Sequence, residues 1–408
     1  MLVVSEEKGM KVVLLGAGAS KAYRESPTGI RMPVACDFFD TFERLAIYGH
    51  PWVLREGIID FLYRVKRVDP FTYLRSGINI EELNSEIEEH MLEAINQGTQ
   101  LGDRLLLFRS YNELTYIFSS VINEIQNGPI SRAHQAIAVR LEPDDVVITF
   151  NWDTLMDRAL ASTTDWTLDH GYGFSPKGIY RDRWSPPQQT KNKPCPRLLK
   201  LHGSTNWITS HPMFHKESVT LTQEASPDTY EYATQPYDCH AGRYMPGYEP
   251  YSYGYYPPNI LDDVGKPAPE GHVIVRVRQK VPWKPAGTAG DKGLVSIPLI
   301  IPPVRQKKYD LYGVLFDYIW KSPQAALCDA EHIIIIIGYS FPKTDIKCHE
   351  LFVSAFLQRN TIPTVSVLDP QPEHITSKLR VDFGIPEKSL NVYKEYSGPR
   401  FLDSGLRC

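Results

Sequence analysis

Cysteine is scarce and scattered. Six thiols (Cys36, Cys195, Cys239, Cys328, Cys348 and Cys408) occur in 408 residues, and no two of them form a CxxC pair. That argues against a four-cysteine zinc module and gives no support to a disulfide framework. Long apolar runs are missing too. The longest, Ile333–Ile337, is five residues, far short of the ~20 that a membrane-spanning helix needs. The opening MLVVSEEKGMK breaks off at Glu6, Glu7 and Lys8, so it lacks the shape of a signal peptide. Nor is there an excess of basic residues. The formal net charge is -4, which gives no general pull toward nucleic acid or an anionic membrane. These absences lead us to expect a soluble, cytoplasmic protein with no membrane partner and no direct nucleic-acid binding.

What is present suffices for a large core. Hydrophobic residues make up 42% of the chain, in a sequence too long for one minimal domain. Five short apolar runs read as strands buried on both faces of a parallel sheet: Lys11–Leu15, Val146–Phe150, Ile297–Ile301, Ile333–Ile337 and Thr364–Leu368. Between the first two lies helical periodicity. Ile80, Leu83, Ile87, Met91 and Ile95 form one stripe, and Leu107, Tyr111, Leu114, Phe118, Val121 and Ile125 form another that stops at Gly128. Ser131 is placed to cap a further helix reaching Arg140. Residues 208–295, dense in Tyr, Pro and Gly, cannot be one regular helix and read as irregular or as short antiparallel strands.

The predicted fold class is therefore α/β. It is a Rossmann-like parallel sheet with a helical insertion and an irregular Tyr/Pro-rich insertion. Residues 1–40, 141–207 and 296–395 are assigned to the sheet domain, 41–140 to the helical module, 208–295 to the irregular insertion and 396–408 to a tail.

Each strand end carries a small or polar cluster, which is where open α/β sheets hold ligands. KVVLLGAGASKAY sets Gly16, Ala17, Gly18, Ala19 and Ser20 directly after a strand. Glycines let a backbone approach a phosphate, a helix starting there offers amides, and Ser20 adds a hydroxyl. Lys21 stands where a dinucleotide fingerprint has its third glycine, and the spacing is not that of a Walker A loop. VVITFNWDTLMD ends a strand with Asn151 and Asp153. Read locally, these are a turn residue and the N-cap of the next helix.

RLLKLHGSTNW puts His202 after an apolar run and before Gly203; histidine suits general-base work near neutral pH. IGYSFPKTD offers Gly338 and Ser340, with Asp345 as a cap for the helix that follows. The last strand ends in Asp369, which either accepts the hydroxyls of a ribose or closes a turn before Pro370.

Taken in order, GAGAS, TFNWD, KLHGS, IGYS and the terminal acid resemble the sirtuin-like NAD-binding fold, over about residues 11–370. TFNWD matches the Thr-Gln-Asn-Ile-Asp of sirtuin deacylases, and KLHGS their catalytic His-Gly. The Gly-Ile-Pro-Asp-Phe-Arg loop of deacylases is absent, with only SPTGIRMP near it, and so are the paired CxxC zinc motifs. This combination resembles the zinc-less sirtuin-like NAD hydrolases of prokaryotic antiphage defence systems.

The resemblance implies NAD as substrate and no metal. It also implies a homo-oligomer, or a separate sensor or ATPase/helicase partner protein, and a role as the effector of abortive infection. It further implies the site roles. GAGAS, Gly338 and Ser340 would hold the pyrophosphate and adjoining ribose, and Asp369 the adenosine ribose. Asn151 would hold the nicotinamide-side ribose or the attacking water, His202 would be the base, and Asp153 would orient nicotinamide or ribose. On these roles Asn151 is the residue whose loss should best separate folding from catalysis. Two other functions stay open on the same fold: a protein deacylase or ADP-ribosyltransferase, and a non-catalytic nucleotide-sensing module.

Overall fold

The computed structural model describes residues 9–45, 56–174, 193–211, 295–304, 307 and 314–394, less 27, 127, 331, 332, 343 and 344, and the short strands at 178–180, 184–185, 231–234 and 274–277. In chain order the strands are β1 (Lys11–Leu15), β2 (Val146–Thr149), β3 (Gly178–Tyr180), β4 (Trp184–Ser185), β5 (Arg197–Lys200), β6 (Gly203–His211), β7 (Glu231–Thr234), β8 (Ile274–Val277), β9 (Val295–Ile300), β10 (Ile333–Ile337), β11 (Thr364–Leu368) and β12 (Leu390–Tyr393). The α-helices are α1 (Ala17–Ser20), α2 (Phe38–Arg44), α3 (Glu56–Asp60), α4 (Pro70–Leu74), α5 (Ile80–Asn96), α6 (Leu101–Gln126), α7 (Arg132–Ala138), α8 (Leu155–Thr163), α9 (Val314–Asp329), α10 (Ile346–Leu357) and α11 (Glu373–Val381).

Six strands form a parallel sheet in the order β12-β11-β10-β1-β2-β5. Its central strands are mostly apolar, as strands buried on both faces of a parallel sheet are, with Lys11, Thr149 and Ser366 as buried polar exceptions. Leu14 pairs with Ile336 on one side and Ile148 on the other. Val12, Val13, Leu14, Val146, Val147 and Ile148 are fully buried, each burial contributing roughly 1.5–3 kcal/mol. From β1 the chain moves outward through β2 and β5, then returns to β10 on the other side of β1 and moves outward again. The reversal lies between β1 and β10, where such sheets open a crevice at the carboxyl ends of their strands.

Four of the five apolar runs take their expected places in this sheet. The fifth does not. Ile297–Ile301 belongs largely to β9, which pairs antiparallel with β6 at the edge of a second sheet, of order β4-β3-β8-β7-β6-β9. Pro298 lies in that run and pairs with Ile208. Proline cannot donate to a ladder, so it suits an edge strand and not the interior of a parallel sheet. The edge strands β5 and β12 complete the parallel sheet. Their short RLLK and LNVY sequences mix apolar with charged or polar residues and carry little periodic signal.

The second sheet is antiparallel wherever it is described. The Tyr-rich stretch between β7 and β8 and the tail 396–408 lie outside the described residues. The chain crosses between the sheets in two residues, Leu201 and His202, from β5 into β6.

Helices α2 to α6 build a hydrophobic cluster of their own, with Phe42, Phe61, Leu83, Ile87, Leu114 and Phe118 at its centre. It takes in Tyr23, Met32, Phe38 and Phe39, so its apolar core starts upstream of residue 41. The Asn79 side chain caps α5 by accepting the Glu81 N–H at 2.8 Å. Ser131 caps α7, which ends at Ala138, two residues before Arg140. The end of α6 is tied to the β2–α8 turn. Gln126 Oε1 accepts from the Thr154 N–H at 2.8 Å and from its hydroxyl at 3.0 Å, while the Arg158 guanidinium donates to the Gln126 and Gly128 carbonyls. Among the described residues no helix is long and apolar enough to cross a membrane.

The turns after β1 and β10 touch through their backbones. Gly16 N–H donates to Ile337 O at 3.0 Å and Gly18 N–H to Gly338 O at 2.9 Å. Gly338 has φ +58°, and a Cβ there would lie 2.5 Å from Ala19 N and from Gly18 Cα. A Cβ on Gly16 would lie 2.5 Å from Gly338 O. Gly338→Ala combines a left-handed backbone with a backbone clash. It is expected to destabilise the fold by on the order of 3 kcal/mol or more, measured by urea denaturation. A loss under about 1 kcal/mol would mean that the two turns separate easily.

Candidate active site

A cleft of about 500 Å³ opens at the carboxyl ends of β1, β2, β10 and β11, a volume in the range of small-ligand sites. Ala17, Gly18, Ser20, Asn151, Asp153, His202, Gly338, Ser340 and Asp369 all line it. Gly16 and Ala19 stand behind, buried against the Gly338 turn. The helical cluster supplies an apolar wall that includes Met32, Phe38, Phe118 and Ile122.

The GAGAS turn is less open to a phosphate than its sequence implies. The N–H groups of Gly16, Gly18 and Ala19 are bonded within the protein, the last to Gly16 O at 2.9 Å. Helix α1 is a single turn of four residues. Ala17 is the exposed member, facing the cleft. The Ser20 hydroxyl is also engaged. It donates to Asp153 Oδ2 at 2.5 Å and accepts from Asn151 Nδ2 at 2.8 Å.

Asn151 has a defined orientation. Its second Nδ2 hydrogen goes to Gly16 O at 2.7 Å, and a primary amide has only two. Toward a ligand Asn151 can therefore only accept, through Oδ1. The same bonds brace the GAGAS turn, so replacing Asn151 disturbs local structure as well as any chemistry. It is not the clean separator of folding from catalysis that its sequence position implied. Asp153 is buried, and its other oxygen accepts the Leu155 N–H at 3.0 Å. The N-cap of α8 is Thr154, which makes no side-chain cap bond. Asp153 thus serves the helix start from one residue upstream.

His202 sits at the crossing between the sheets, and its side chain is 6% exposed. Phe150 packs edge-on against its ring at 4.9 Å and stacks on Tyr339 at 4.4 Å. His202 Nε2 lies 3.5 Å from Asp345 Oδ1. Asp345 was expected to cap α10. It occupies the N-cap position but makes no side-chain cap bond, because its carboxylate turns into the cleft. Tyr339 Oη donates to Asp345 Oδ2 at 2.7 Å. Lys307 Nζ stands 2.5 Å from Asp345 Oδ1, as a charge contact and not an aligned hydrogen bond.

Burial holds His202 down, to about 4 from its ordinary 6.5; Lys307 acts in the same direction, while Asp345 and the Phe150 carbonyl oppose it. Burial works against ionising Asp345, but His202, Lys307 and the Tyr339 hydroxyl outweigh it and hold the carboxyl below its ordinary value. At neutral pH the cleft floor is therefore a neutral imidazole beside an ion pair.

Asp369 is half-buried at the end of β11 and accepts the Gln371 N–H at 2.8 Å through Oδ1. Ser340 is exposed at the rim. Beneath the cleft, Lys200 donates to the Asp153 carbonyl at 2.5 Å and pairs with Asp157 at 3.0 Å, both charges fully buried. Tyr172 donates to Asp157 and accepts from Asn206, whose Oδ1 takes the Ser204 hydroxyl. This chain of bonds fixes both the TFNWD turn and the segment following His202. Among the described residues no group of His, Cys, Asp and Glu is placed to hold a metal ion.

No protein-family model and no curated protein matches the chain. The site therefore stands on its own geometry. Sequence reasoning missed Lys307 and the orientation of Asp345. One of the two adjacent lysines in VRQKK carries no periodic or motif signal, and Asp345 has the local pattern of a cap.

The His202 environment has a consequence for stability. Its folded pKa lies below its unfolded one, so stability is full above pH 6.5 and is lost as pH falls toward 4. Between pH 7 and about pH 4.5 the wild type is expected to lose about 2–3 kcal/mol more than His202→Gln. Urea denaturation of both proteins checks this, and equal losses would show that His202 keeps an ordinary pKa.

Proposed function

We propose that the protein is a sirtuin-like NAD glycohydrolase that cleaves NAD to nicotinamide and ADP-ribose. One observation carries this reading: residues of motifs spread from Ala17 to Asp369 line a single cleft at the switch point of the parallel sheet. The further reading, as the effector of a bacterial antiphage defence system acting as a homo-oligomer or with a separate sensor or ATPase/helicase partner, rests on the motif resemblance alone.

In the reaction, the bond between ribose C1′ and the pyridinium nitrogen breaks, and its electron pair leaves with nicotinamide. The leaving group departs neutral and needs no acid. The cost lies in the oxocarbenium-like sugar, as in other glycosyl transfers. A water oxygen then bonds to C1′ and gives up a proton. The neutral His202 imidazole is the group to receive it. Asn151 Oδ1, fixed by its two donated bonds, accepts from the water or from a ribose hydroxyl and so holds it in line. Asp153 acts through Ser20 and the start of α8, which makes it a positioning residue for Asn151. Ala17, Gly18 and Ser340 are assigned to the diphosphate and adjoining ribose, and Asp369 to the adenosine ribose.

Purified protein, with an activating partner where one is required, is expected to release nicotinamide from NAD. His202→Ala is expected to lower the rate by at least about 10²-fold with the fold intact by circular dichroism. Asn151→Ala is expected to lower it as far, with some loss of stability. Activated wild-type protein that leaves NAD uncut would sink the reading. Intact nucleotide retained without turnover would identify a sensing module instead, and turnover dependent on an acylated peptide would identify a deacylase.

A further inference from the structure

Lys307, Asp345 and His202 form a buried row on the cleft floor, with side chains only 4–6% exposed. They come from three separate parts of the chain: the segment after β9, the start of α10 and the β5–β6 crossing. Asp345 forgoes the capping bond that its position offers and directs its carboxylate at His202. A buried carboxylate 3.5 Å from an imidazole favours the imidazolium, which could not accept a proton. Burial and a second charge contact oppose that pull. Lys307 Nζ lies 2.5 Å from the same Oδ1 that faces His202.

We propose that Lys307 and Asp345 are positioning residues: Lys307 offsets the charge of Asp345, so that in this buried setting the carboxylate orients the His202 ring without converting it to an imidazolium. The arrangement departs from the Ser-His-Asp triad, where an unneutralised aspartate stabilises the imidazolium that forms. Among the described residues, Tyr339, Cys348 and the Phe150 carbonyl face the row, and Lys378 lies beyond Cys348. Tyr339 donates its hydroxyl to Asp345. Burial pushes both that phenol and the nearby Cys348 thiol far up, so both stay neutral. Phe150 presents a backbone carbonyl to His202. The catalytic consequence rests on the NAD-cleavage reading; the protonation of His202 does not.

The test follows His202 by NMR through an acid titration of the wild type, Lys307→Met and Lys307→Arg, with nicotinamide release measured over the same pH range. In Lys307→Met the His202 titration is expected to rise by at least about one unit, because Asp345 is no longer balanced. Lys307→Arg keeps the charge and is expected to stay within about half a unit of wild type. The acid limb of kcat/KM should move with the titration.

Two outcomes overturn the proposal: a Lys307→Met protein whose His202 titrates as in wild type, or one whose activity falls equally at every pH. If the Met variant does not fold, Lys307→Gln gives the same readout with a polar group retained. If the wild type leaves NAD intact, the glycohydrolase reading fails while the titration still decides the role of Lys307.

Discussion

The structure depends on the close approach of two strand-end turns at the middle of the parallel sheet. Gly16 and Gly338 meet backbone to backbone, with no room for a side chain on either. This contact joins the first strand of the sheet to a strand more than 300 residues later in the chain. It also defines the inner edge of the cleft, because the two turns at the switch point are held together instead of splayed apart. The glycines of GAGAS therefore have a packing role before any ligand is considered. That role occupies the amides of Gly16, Gly18 and Ala19, which the sequence offers to a phosphate.

From that contact the polar groups are ordered outward. Asn151 donates to the GAGAS turn, Ser20 links it to Asp153, and Asp153 holds the start of α8. Lys200 and Asp157 lie beneath, fully buried and hydrogen-bonded to their neighbours. Buried ion pairs seldom add much stability over an apolar replacement, whereas breaking one is costly. Here they hold the backbone of two loops in a single arrangement, which is what a site built from loop residues requires.

The second sheet is more than an appendage to the first. Its strand β6 continues from β5 through His202, and Ile301, following β9, donates its N–H to the His202 carbonyl at 2.8 Å. The segment after β9 then delivers Lys307 to Asp345. The histidine is thus held by the seam between two sheets. Its protonation is set first by burial, and then by the opposed charges of Asp345 and of a lysine from the chain that leaves the edge strand of the second sheet.

The parallel sheet's central strands, the long helices α5 and α6, and most of the strand-end residues that gather at the cleft are legible in the sequence alone. Continuous β-branched runs, 3.6-residue periodicity and strand-end glycines are local signals, and local physics is enough to read them. The rest comes from contacts between distant segments. Ile297–Ile301 has the apolar content of a central strand, but its proline and its partner β6 make it an antiparallel edge. Asp345 has the position of a cap, but its charge is drawn to a lysine and a histidine far away in sequence. Lys307 has no local signature at all. Charge pairing across a cleft is set by which backbones lie a few ångströms apart, and a linear pattern carries no record of that distance.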